Sequence, residues 1–217
     1  MQNILAFVGM MVLAAPSAQA VTVNLYGAGG GDANVSGKTA TFEKNGISGT
    51  IEAFSTYSGA TPQITTNAFG LGVKNGPNDV AYYPGNDTYA EGDYRSLGRQ
   101  IDGRYQDDWL TFTFNKAVKL ISLTLGNFNG SGPWYDNAYI STNGSETETN
   151  ISTPLHSFGG AVATSFTVAA RDYDDEFVAY SFEVAPVPLP ASALLLIGGL
   201  AGFGVMHRRK TRYLKVS

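Results

Sequence analysis

Residues 109–126 read WLTFTFNKAVKLISLTLG. Leu110, Phe112 and Phe114 alternate with Trp109, Thr111 and Thr113, the period of a strand with one face in a core and the other in water. Asn115 and Lys116 then supply polar residues for a tight connection, and Ala117 to Leu125 form a second β-rich run. The pattern predicts an antiparallel hairpin. FVAYSFEV at 177–184 likewise aligns Val178, Tyr180, Phe182 and Val184, and AVATSFTVAA at 161–170 aligns Val162, Thr164, Phe166 and Val168. VTVNLY, KTATFE and GTIEAF offer three earlier strands, and clusters such as GAGGG and NGSG read as turns. Residues 21–185 contain no convincing amphipathic helix and are long enough for one domain with a sizeable core. Short strands joined by glycine-rich turns predict an all-β, antiparallel β-sandwich of jelly-roll type, with a barrel as second choice. The chain has no cysteine, so packing alone, with or without a bound ion, must hold it.

The two ends differ from this region. Ile4 to Ala15 is a nearly continuous apolar run followed by APSAQA. Small residues at Ala18 and Ala20 form an A-x-A site, so 1–20 reads as a secretory signal peptide with a mature start near Val21. At the other end, Ala191 to Met206 carries no charge. As a helix it is about 24 Å long, short for a bilayer core of roughly 30 Å but workable with snorkelling flanks. Pro188 and Pro190 suit the entry of such a helix. Arg208, Arg209, Lys210 and Arg212 follow, and the positive-inside rule keeps that cluster in the cytoplasm. From His207 onward lie five of the fourteen basic residues and no acid, so 21–185 holds nine bases against all eighteen acids, a net charge of −9. That acidity disfavours nucleic acid and anionic lipid as partners.

Val187-Pro188-Leu189-Pro190-Ala191, the Leu/Gly-rich segment 191–206 and the basic stop at 207–212, with a short tail at 213–217, resemble the PEP-CTERM family of sorting signals, in its VPLPA variant. The resemblance covers about the last tenth of the chain. His207 stands where a further Arg is common, and the tail runs longer than usual. The resemblance implies a Gram-negative surface protein in which 186–212 is handled by exosortase, a membrane-embedded transpeptidase that recognises the motif and cleaves near it. It also implies passage through the secretion machinery and the inner membrane, ending at the cell surface or in an exopolysaccharide or biofilm matrix. More loosely, Gly70 to Val73, Ile101-Asp102 and Asp107-Asp108 resemble what precedes the core strands in many exported proteins of this kind, with no defined activity attached.

Chemistry is harder to find. His156 is the only histidine in 21–185, and no G-x-S-x-G elbow occurs, which argues against a hydrolytic triad and against a His/Cys zinc site. Asp107, Asp108, Asp172, Asp174, Asp175 and Glu176 could supply a glycosidase pair across a groove, but solvated loop acids are the simpler reading. RDYDDEF and YQDDW also leave a structural Ca²⁺ open, with no ligands assigned and no EF-hand pattern. Tyr82, Tyr83, Tyr89, Tyr94, Tyr105, Trp109, Trp134 and Tyr135 lie in or beside polar segments, where rings can stack on sugars or simply cover core edges. N-x-S/T triplets beginning at Asn34, Asn86, Asn129, Asn143 and Asn150 read as turn residues. The expectation is a non-enzymatic exported protein without catalytic residues or cofactor, associated with exopolysaccharide. The alternatives are a secreted carbohydrate-active enzyme and a permanently anchored periplasmic binding protein.

Overall fold

The stretch at 109–126 lies in one strand, not a hairpin. A computed structural model of the chain describes residues 19–27, 29–56, 59–75, 100–103, 107–129, 136–145, 147–172 and 175–188. The chain divides into two compact units, one of which is Gln19–Val187. All thirteen strands of the described residues lie in that unit, and these residues contain no helix. The expected hairpin is β8 (Asp108–Gly126), the longest strand. A two-residue turn of the hairpin type needs positive φ at its central residues. Asn115 and Lys116 do not have it, whereas Asn45 (φ 49°) and Gly46 (φ 79°) do and turn β3 (Thr39–Lys44) into β4 (Ile47–Ser55). At 115–117 the chain bulges instead. The single Thr164 of β12 (Val162–Ala169) spans Phe114–Ala117, and Asn115 donates to Ser48 Oγ at 2.9 Å.

Each half of β8 has its own neighbours. Asp108–Phe114 pairs antiparallel with β4 on one side and β12 on the other. Beyond β4 come β3 and β2 (Ala33–Ser36); beyond β12 come β9 (Ala138–Thr142) and β10 (Thr149–Ile151). Val118–Gly126 pairs with β13 (Glu176–Pro186) and β11 (Leu155–Ser157). The far side of β13 is taken in turn by β1 (Val21–Asn24), β6 (Gly70–Lys74) and β7 (Ile101–Asp102), and β5 (Gln63–Asn67) pairs with β6. Every ladder is antiparallel, and all thirteen strands belong to one connected sheet.

The core follows the alternation in the first half of β8: Leu110, Phe112 and Phe114 are buried, while Trp109, Thr111 and Thr113 face outward. Phe182 of β13 packs edge-on against Phe42, Phe112, Phe114 and Phe166 at 5.3 to 5.8 Å. Among the described strands, β13 pairs with neither β3 nor β12. Side chains, not ladder bonds, therefore join these strands, and each buried Phe contributes about 1.5–3 kcal/mol. Gly49 makes room for this cluster, because a Cβ there would collide with the Thr113 carbonyl oxygen and the Phe42 ring. Elsewhere the alternation breaks at bulges, which add one residue and flip the faces. On β13 the register shifts between Ala179 and Ser181, so Tyr180 leaves the face of Phe182 and Val184 and stacks on Tyr26 at 4.5 Å. On β12 the shift between Ala163 and Ser165 buries Ala163 and turns Val162 and Thr164 outward, against the sequence expectation.

No helix of the described residues is long and apolar enough to cross a membrane, and the expected span at 191–206 lies outside those residues.

Candidate functional site

Polar residues collect where β12 gives way to β13. The connection must reverse direction within Ala170–Asp175, and its backbone N–H groups need acceptors. Asp175 supplies them. Its Oδ2 accepts from the backbone N–H of Arg171 at 3.0 Å and of Asp172 at 2.8 Å, and its Oδ1 accepts from Asn137 N–H at 2.7 Å. Asp136 does the same for the connection between β8 and β9. It accepts from Asn129 N–H with one oxygen and from Glu176 N–H at 3.1 Å with the other, while its own N–H donates to Asn129 O at 2.8 Å. Asp108, fully buried at the start of β8, accepts from Asn75 Nδ2 at 2.6 Å. Close backbone approach completes the end: Gly103 N–H donates to Asp175 O, and a Cβ at Gly103 would strike the Asp172 carbonyl oxygen.

Burial and crowding set the electrostatics here. Desolvation pushes the Asp136 carboxyl up to about 6, reinforced by the charges of Glu176 and Asp175 and opposed by its two backbone donors. Asp175 is raised for the same leading reason. Tyr139 OH donates to Asp172 Oδ2 at 2.5 Å, and that bond is the main cause pushing the phenol up to about 12. Arg171 bridges Glu148 (2.6 Å) and Asp107 (3.2 Å) and lies 5.6 Å over the Trp109 ring, which also stacks on Phe54 at 5.4 Å.

The carboxylates proposed from sequence are thus engaged in different tasks. Asp175 holds loop backbone, Asp108 holds Asn75, Asp107 pairs with Arg171, and Asp172 holds Tyr139. Glu176 stands opposite Asp102 in the β7–β13 ladder, and Asp174 lies outside the described residues. Among the described residues no group of three or more His, Asp or Glu is placed to hold a metal ion. His156 packs edge-on against Phe158 at 4.7 Å, and burial lowers its pKa. Of the aromatic residues singled out, Trp109 is described and its ring is engaged by Phe54 and Arg171. Tyr82, Tyr83, Tyr89, Tyr94, Tyr105, Trp134 and Tyr135 lie outside the described residues. Sequence reasoning missed Asp136 and Gln100. The signal for Asp136 was an Asp-Asn pair directly before a strand; Gln100, 2% exposed with neither amide atom hydrogen-bonded among the described residues, gave none.

At the opposite end of β13 the described chain reaches the first residues of the expected sorting motif. The strand ends at Pro186, and Val187 and Pro188 follow it exposed. Leu189, Pro190, Ala191, Arg208, Arg209, Lys210 and Arg212 lie outside the described residues, as does Ala18. Ala20 is exposed and directly precedes β1. Val21, the expected first residue of the mature chain, pairs with Val184. The ends of the folded unit are therefore adjacent strand partners, and Glu176 lies about 30 Å away along β13 at ~3.3 Å per residue.

Compared with known protein families, curated proteins and solved structures, the chain matches none.

Proposed function

We propose that this chain is an exported, non-enzymatic surface or matrix protein, delivered by a VPLPA-type sorting signal and associated with exopolysaccharide. Its ectodomain is read as a two-layered β-sandwich, a description supported by the packing of Phe182 across strands it does not pair with. One observation carries the delivery part: Val21 pairs with Val184. Both expected processing points thus flank one edge of the folded unit, where trimming removes chain without cutting a ladder. The engagement of the loop carboxylates by backbone, Arg171 and Tyr139 favours a structural over a hydrolytic role for them. Exosortase and the secretion machinery are the partners this reading requires, with the inner membrane an intermediate station through 191–206.

The test is replacement of both motif prolines, P188A/P190A, in the native host. Sorting through the motif predicts that the variant accumulates in the membrane fraction and disappears from the surface and the medium. Unchanged distribution contradicts it.

A further inference from the structure

The outer face of the first half of β8 and its neighbours is a grid of hydroxyl groups. One row runs Thr167, Thr111, Glu52, Thr39 across β12, β8, β4 and β3, each residue directly opposite the next; its continuation on β9, Ser141, is buried. The next row runs Ser165, Thr113, Thr50, Thr41, Asn34 across β12, β8, β4, β3 and β2. Neighbouring side chains within a row are about 4.8 Å apart, and the rows about 6.8 Å apart. Phe54 and Trp109, stacked on one another, flank the first row. Lys38 lies 4.5 Å over Phe54, as Arg171 lies over Trp109.

Two further features separate this face from an ordinary solvated sheet. First, its charge is self-cancelled. The protein is acidic, yet the two rows contain one charged residue, Glu52, which is paired with Lys38 at 2.8 Å. Second, the threonine hydroxyls of its second row are turned outward rather than spent. In the first row Thr111 and Thr167 bond each other at 3.0 Å and Thr39 donates to Ser36 O at 3.4 Å, but in the second Thr41, Thr50 and Thr113 are exposed and their hydroxyls make no hydrogen bond among the described residues. A hydroxyl offers one donor and two acceptor positions. A regular field of them complements a ligand that presents hydroxyls at short repeat and carries no charge. An anionic polymer meets instead the net negative charge of the domain.

From this geometry we infer that the Ser/Thr face, bounded by Phe54 and Trp109, binds the flat side of a neutral, hydroxyl-rich polysaccharide. The inference rests on the exopolysaccharide reading above and gives it a site and a ligand class. Two rows across five strands form a shallow surface, so single contacts are weak, and retention depends on many contacts along one polymer.

The test is co-sedimentation of the full chain in detergent with microcrystalline cellulose, with the anionic polymer xanthan and the host's own exopolysaccharide in parallel. The variant T41V/T50V/T113V keeps the shape of each side chain and the strand propensity while deleting the hydroxyls; T41S/T50S/T113S keeps the hydroxyls. The expected result is retention on cellulose but not xanthan, at least tenfold weaker in the valine variant and preserved in the serine variant. Equal retention of wild type and valine variant overturns the site while leaving the exopolysaccharide reading intact. Loss in Tyr26→Ala without loss in the valine variant does the same and moves the site to the Tyr26–Tyr180 stack. Retention by none of the three polymers overturns both. A dimer in sedimentation that T50R/T113E dissolves shows instead that a second copy covers the face; opposite charges across that pair are compatible with the ladder.

Discussion

The carboxylate end and the hydroxyl face are both rich in polar side chains, and they use them in opposite ways. Around Asp175, Asp136 and Asp108 the polar groups point inward and are engaged by backbone N–H groups or by Asn75. Across Thr41, Thr50 and Thr113 they point outward, with no hydrogen bond inside the described protein. A polar residue whose partners lie within the chain contributes to structure, and its removal is felt as lost stability. A polar residue without internal partners adds little to stability and is available to something else. Aspartate at a connection and threonine on a strand are equally ordinary in sequence; the direction of their hydrogen bonds separates them.

The largest effect expected from this contrast is at Asp175. Alanine there strands three backbone N–H groups in a partly buried connection, each costing up to about 1–3 kcal/mol. Asp175→Ala should lower the thermal midpoint by ten degrees or more, or prevent folding, as read by circular dichroism. A shift of a degree or two breaks the claim that this end is structural. Gln100 is the opposite case, an inward polar side chain whose amide makes no hydrogen bond among the described residues. Gln100→Met keeps the volume and removes the amide, so it should raise stability by about 1–2 kcal/mol in denaturant titration; a loss of that size shows that Gln100 does have a partner.

Asp136 gives a pH dependence of defined sign. Its folded-state pKa is raised to about 6 from an ordinary 3.8. Between those values the folded chain holds more protons than the unfolded one. The contribution is therefore fully present at low pH and is lost as pH rises through about 6. Stability should climb as pH falls from 7 towards 5, and Asp136→Asn should flatten that slope. Asp32, which desolvation pushes up but which the bonds from Lys44 and the Asn24 N–H, with the Lys44 charge, together bring below its ordinary value, acts with the opposite sign and below this window, as the pH falls through its own pKa. The smallest effect belongs to the hydroxyl face: T50V/T113V should stay within about 0.5 kcal/mol of wild type, as surface changes away from special features do. A larger loss would mean that these threonines hold the sheet together.

Much of the fold was legible because Leu110, Phe112 and Phe114 keep period two, and that period alone fixes which face is buried. Asn115-Lys116 misled because polar residues suit a turn and a bulge equally, and only the sign of φ separates the two. Asn45-Gly46, the pair that does turn, carried the stronger hairpin signal. The flips at Thr164 and Tyr180 left no trace in sequence, since every residue around them favours strands and the bulge depends on the partner's register. The acids of RDYDDEF were visible as a group. Their destinations were not, because Asn137 reaches Asp175, and Tyr139 reaches Asp172, only through tertiary pairing. The hydroxyl rows were hidden for the same reason: Thr41, Thr50, Thr113 and Ser165 become neighbours only once four strands are in register.

The most direct test of delivery to the surface is the intact mass of the mature protein, recovered separately from the membrane and extracellular fractions of its host. A species that begins near Val21 and lacks the chain beyond the Val187–Ala191 motif is the predicted result. A membrane-bound species still ending at Ser217 would contradict it and leave the tail as an anchor alone.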